Sequence, residues 1–91
     1  MESNIFFNPT LSRFEWEIDG YNALAEFRLE QDIITFTHTE VPAELGGRGI
    51  GSRLVEFALN YARSQGWKVV PLCPFFKSYI AKHPNYSDLL A

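Results

Sequence analysis

A histidine and a glutamate two residues apart (His38, Glu40), a lone cysteine (Cys73) and a glycine-crowded turn (Gly46-Gly47-Arg48-Gly49-Ile50-Gly51) are the residues whose types and spacing could do chemistry. On an extended strand residues i and i+2 share a face, so His38 and Glu40 pair an imidazole, ordinarily titrating near about pH 6.5, with a carboxylate. Either can take a proton from an amine. A thiolate beside a histidine can accept an acyl group transiently, whereas a lone buried cysteine is a small hydrophobe. The turn suits an anion if a helix begins at its end, because free N–H groups at a helix start carry partial positive charge and glycine lets the backbone come close. Arg48 and the Ser52 hydroxyl would add a charge and a hydrogen bond. Each feature also has a plainer reading: a hydrogen-bonded sheet histidine, a solvated strand-end carboxylate, and glycines that merely connect a strand to a helix.

The elements that must position these residues are readable from periodicity. Phe14, Trp16 and Ile18 alternate with Arg13, Glu15 and Glu17 between Ser12 and Asp19, the period of a half-buried strand. Asp19-Gly20 supplies hairpin chemistry, and Tyr21, Ala23, Ala25, Phe27 and Leu29 continue the alternation to Glu30. After Gln31-Asp32, the segment Ile33 to Val41 is rich in β-branched and aromatic residues, completing an antiparallel three-stranded meander. Pro42 ends it. From Ile50 to Gln65, Leu54, Val55, Ala58, Leu59 and Ala62 keep helical spacing and Gly66 is a stop signal. Trp67 to Cys73 then reads as a strand returning parallel to the third, closing a βαβ unit. Phe76, Tyr79 and Ile80 mark a short second helix over Phe75 to His83, stopped by Pro84. The tail from Asn85 is expected to pack loosely. Phe6-Phe7 suits either a sheet-edge cover or a contact between chains. The fold class is therefore α+β.

Ninety-one residues fit one domain, 1–91, and the 46% hydrophobic and 15% aromatic content supplies a core. A net charge of −3 and a pI near 5.2, with no Lys/Arg run, exclude the clustered basic face that a nucleic acid needs. One cysteine allows no intrachain disulfide and no multi-thiolate zinc site, so no metal is expected and a cytoplasmic setting fits. The start Met1-Glu2-Ser3-Asn4 lacks the features of a leader, and no stretch reaches the roughly 20 apolar residues that cross a bilayer.

Two phosphate motifs are set aside: the P-loop requires a Gly-Lys-Ser/Thr ending and the dinucleotide fingerprint requires Gly-x-Gly-x-x-Gly, whereas here Gly47, Gly49 and Gly51 alternate. Val41-Pro42, then Gly47-Arg48-Gly49-Ile50-Gly51, then Leu54, resemble the acetyl-coenzyme A pyrophosphate loop of the GNAT superfamily. His38-Thr39-Glu40-Val41-Pro42, the loop, Cys73 and the aromatic helix ending at His83-Pro84 are similar to small single-domain YjdJ-like N-acetyltransferases, over about residues 12 to 88. Two departures stand out. Gly46 occupies the place where the superfamily pattern has Arg or Gln, and the chain lacks the extra helices and strand that wall the acceptor in larger members.

The resemblance implies a compact GNAT-like fold and an acetyl-coenzyme A-dependent N-acetyltransferase acting on a primary amine. It implies cosubstrate contacts from Val41, Gly46, Gly47, Arg48, Gly49, Ile50, Gly51 and Ser52, with Tyr79 a further contact and the Val41 N–H polarising the thioester carbonyl. His38, Glu40 and Cys73 are the catalytic candidates, by direct attack of the amine or through an acetyl-Cys73 intermediate. Lys77 and Lys82 read most simply as solvated helix charges, with a contact from one of them to the nucleotide phosphate as the alternative. The alternative is a coenzyme A-binding sensor or interaction module without turnover. The acceptor is unnamed, no membrane or nucleic-acid partner is expected, and a monomer or weak homodimer is expected.

Overall fold

The computed structural model describes residues 4–91. Five strands form one sheet in chain order: β1 (Phe6–Asn8), β2 (Arg13–Ile18), β3 (Tyr21–Glu30), β4 (Ile33–Glu40) and β5 (Lys68–Pro71). The first three pairings are antiparallel, and β4 with β5 is parallel, joined through helix α1 (Ile50–Gln65). Helix α2 (Pro74–Lys82) follows β5, and a 3-10 segment, Pro84–Leu89, completes the described chain. No helix among the described residues is long and apolar enough to cross a membrane.

Local chemistry accounts for the boundaries. Asp19 and Gly20 both have positive φ (53° and 81°), the conformation of a two-residue hairpin turn whose twist matches its strands. Gly66, at φ 76°, ends α1 and donates its N–H to the carbonyls of Ala62 and Arg63. Cys73 precedes α2, whose first residue is Pro74, where a missing N–H costs no helical bond.

The helices and the C-terminal segment pack on one face of the sheet. Phe14, Phe27 and Phe36 meet there; Phe14 touches Phe57 and Tyr61 of α1, and Phe36 stacks on Phe76 of α2 with ring centres 3.9 Å apart. The opposite face carries polar and charged side chains, among them the buried Glu15, held by Arg13 and Asn8. Strand β1 is an addition to the expected meander. Phe7 lies against Phe14, Phe27, Tyr61 and Trp67, so Phe6-Phe7 forms a sheet edge anchored in the aromatic core.

The C-terminal segment does not pack loosely. Tyr86 and Leu89 are buried, Arg63 of α1 forms a two-pronged bond to Asp88, and Ala91 N–H donates to the Val69 carbonyl. The Arg63 hydrogen bond holds the Asp88 carboxyl below its ordinary range. A depressed carboxylate stabilises above its unfolded pKa, and that contribution disappears as pH falls through the folded value. Asp88→Asn is therefore expected to melt below the wild type at pH 7, with the gap closing below about pH 4. Thermal melts at pH 7 and pH 3 check this; a gap unchanged between the two would show that the pair contributes nothing.

Candidate functional site

The site begins where β4 and β5 part. Their pairing ends at Phe36 and Pro71, and a last hydrogen bond runs from the Cys73 N–H to the Phe36 carbonyl, 2.9 Å. Beyond it β4 continues to Glu40 while the other chain turns into α2, so the edge of residues 37–41 has no β5 partner. Unpaired edge N–H and C=O groups are available to an extended ligand.

A β-bulge inside β4 decides what lies around that opening. Glu26 pairs with His38 and Phe27 with Phe36, leaving Thr37 as the extra residue. The bulge shifts the alternation of every later side chain. Ile34 and Phe36 face the core, but after Thr37 it is Thr39, opposite the buried Ala25, that turns inward. His38 and Glu40 turn to the open face, where the His38 Nε2 lies 3.5 Å from a Glu40 carboxylate oxygen and both side chains are more than half exposed. Cys73 is buried, and its Sγ lies 3.4 Å from the Thr39 hydroxyl. The three catalytic candidates are thus divided. His38 and Glu40 form one pair, and Cys73 pairs on the core side with Thr39, a residue that periodicity did not single out.

The glycine turn leads from the 3-10 turn Ala43–Leu45 into α1. Gly47 and Gly49 have φ of 77° and 70°, so each needs glycine for its backbone conformation. Gly46, at φ −63°, does not. Gly49 caps α1 without any side-chain hydrogen bond, no acidic residue occupies the first turn, and the first helical bond runs from Arg53 N–H to the Gly49 carbonyl. The N–H groups of Ile50, Gly51 and Ser52 therefore precede the helical ladder, at the positive end of a 16-residue helix. This is an arrangement that binds phosphate.

The other turn residues take different parts. The Ile50 side chain is in the core, so only its backbone is free for a ligand. Val41, half-buried, follows β4 directly. The Arg48 guanidinium lies 2.9 Å from Asp19 in the β2–β3 turn. It lines a separate hollow with Trp16, Ile18 and Arg53. Ser52 is exposed and lines a cleft of about 480 Å³ with Pro74, Phe75, Ser78, Tyr79, Lys82 and His83.

Tyr79 of α2 and His83, which caps the end of that helix four residues on, stack with ring centres 4.0 Å apart. The His83 Nδ1 lies 2.9 Å from the Tyr79 carbonyl, which can only accept, so in this contact Nδ1 carries the proton. Burial chiefly, then the negative Glu56 and neighbouring Tyr86, raises the Tyr79 hydroxyl above its ordinary pKa. Of the aromatic residues of this helix, Phe76 alone is fully in the core: Phe75 is 41% exposed and Tyr79 half-buried at the cleft. The i, i+4 spacing of Tyr79 and His83 was the available sequence signal for their stack.

An antiparallel meander continued by a parallel βαβ strand, a splayed strand pair and an uncapped helix start beside it define an acyltransferase-like architecture. Residues 13–89 match the GCN5-related N-acetyl-transferase family, and the chain belongs to that family. It is similar to the solution structure of a GCN5-like candidate N-acetyltransferase from Staphylococcus aureus, at 28% identity and a TM-score of 0.74, over 97% of this chain and 87% of that one. No curated protein matches the chain at a significant level.

Proposed function

We propose that the protein transfers an acetyl group from acetyl-coenzyme A to a primary amine. The observation that carries this reading is the uncapped start of α1, placed between the β4/β5 opening and the aromatic cleft on α2. The N–H groups of residues 50–52 bind the diphosphate, and the cleft takes the nucleotide end, with the Tyr79–His83 stack as a flat surface and Lys82 as a cation. The thioester lies at the opening near Cys73 and Thr39, and the Val41 N–H donates to its carbonyl oxygen.

The divided catalytic residues favour direct transfer. The amine reaches the opening from the exposed His38–Glu40 face, and His38 accepts its proton as the nitrogen attacks the thioester carbon. The C–S bond then breaks and the coenzyme leaves as a thiol or thiolate beside Cys73. On this reading Cys73 contacts the leaving sulfur and forms no acetyl intermediate. His38→Ala is expected to lower kcat by roughly 10²-fold or more, the usual scale for a lost general base. Cys73→Ala is expected to leave substantial turnover.

Steady-state kinetics over a panel of primary amines, with intact-mass analysis after incubation with acetyl-coenzyme A alone, test the scheme. An acetyl adduct lost in Cys73→Ala would replace direct transfer by the covalent route. Tight binding of acetyl-coenzyme A without turnover of any amine would replace this reading by that of a sensor module.

A further inference from the structure

Gly51 is glycine for a reason that the motif does not contain. Its φ is not positive, so its backbone conformation is open to any residue. A Cβ built on it would lie 2.5 Å from Cζ of Phe75 and 3.0 Å from Cε2, closer than a side chain can approach. The Phe75 ring thus rests directly on the first turn of α1. Phe75 belongs to the first turn of α2, yet it does not enter the core as the adjacent Phe76 does, and 41% of it stays exposed. The ring meets that backbone through its Cζ end, and the rest of its surface is partly open to a ligand.

Its position gives the exposed part of the ring a use. Phe75 is two residues from Cys73, which marks the β4/β5 opening, and it lines the cleft with Ser52 and Tyr79. A ligand with its thioester at the opening and its phosphates on residues 50–52 must run its connecting arm past this ring. We propose that Phe75, seated on Gly51, is the residue that selects for the acyl-pantetheine arm, packing against its apolar portion and distinguishing arm-bearing ligands from the nucleotide alone. This inference rests on the acetyl-coenzyme A reading. It assigns arm recognition to Phe75 and leaves phosphate binding to the backbone of α1.

Calorimetric titration with two probes separates these tasks: acetyl-coenzyme A, and adenosine 3′,5′-diphosphate, which has a nucleotide end but no arm. Phe75→Ala is expected to weaken acetyl-coenzyme A about 10-fold or more, the loss typical of truncating an aromatic anchor, and to leave the diphosphate within about twofold of wild type. Phe75→Leu should recover part of the loss. Gly51→Ala should lower the melting temperature in the wild type but not in Phe75→Ala, where the ring is gone. Equal weakening of both probes, or no weakening of either, would overturn the assignment to Phe75 while leaving the cosubstrate reading standing. A wild type that binds neither probe would overturn both.

Discussion

Phe36→Ala is expected to cost about 3–5 kcal/mol of folding stability, the largest single loss anticipated in this domain. Phe36 is fully buried, stacked on Phe76 and in contact with Phe14 and Phe27, so its removal opens a cavity between the sheet and α2. Surrounding side chains relax only partly into such a cavity, and the lost contacts add to the lost transfer energy. A domain of this size holds only about 5–15 kcal/mol in total, so the variant would be near its unfolding limit. The Phe36 carbonyl also accepts the Cys73 N–H, which ties the cavity to the point where β4 and β5 part. Urea unfolding checks the prediction: the midpoint should fall sharply with the slope unchanged. A loss under about 1 kcal/mol would mean that the core refills the space, and the stacking of α2 on the sheet would need another support.

Ser52→Glu is expected to move stability and affinity in opposite directions. Ser52 is the third residue of α1, after the cap Gly49, where a glutamate reaches back to the cap N–H and offsets the helix dipole. That should stabilise the fold by about 0.3–1 kcal/mol. The same carboxylate would occupy the N–H groups assigned to the diphosphate and face the cleft, repelling an anionic ligand. Acetyl-coenzyme A affinity should fall about 10- to 100-fold, equivalent to about 1.4–2.7 kcal/mol. A higher melting temperature with much weaker binding would support the helix start as the phosphate site, because simple damage to the fold lowers both. Unchanged affinity would move the phosphates elsewhere, with the Arg48–Arg53 hollow the next place to look.

Much of the architecture was legible because the relevant interactions are local. The alternation around Phe14 and Trp16, the Asp19-Gly20 turn, the 16 residues of α1 and the Gly66 stop all express backbone preferences and burial along short stretches. The glycines at 47 and 49 were equally readable, since positive φ is a property of the residue itself. Strand β1 was not read as a strand: its three residues are too few to display a period, and Phe7 is fixed by aromatic rings distant in the chain. The packing of the C-terminal segment leaves no local signal for a similar reason, because Arg63 and Val69 hold it from elsewhere.

Local pattern along the chain suffices for the order of elements from β2 to α2, the glycine turn and the shared face of His38 and Glu40. Which face that is depends on how β4 pairs with β3. The run Thr35, Thr37, Thr39 against Phe36, His38, Glu40 has polar residues on both sides after Phe36, so no hydrophobic alternation sets its register. Pairing with β3 places a bulge at Thr37, turning His38 and Glu40 to the open face and Thr39 toward Cys73. Arg48 was likewise drawn to Asp19 by a hairpin folded beside it, and Gly51 lies against a ring 24 residues further along the chain. These are contacts between distant segments, and composition and spacing carry no record of them.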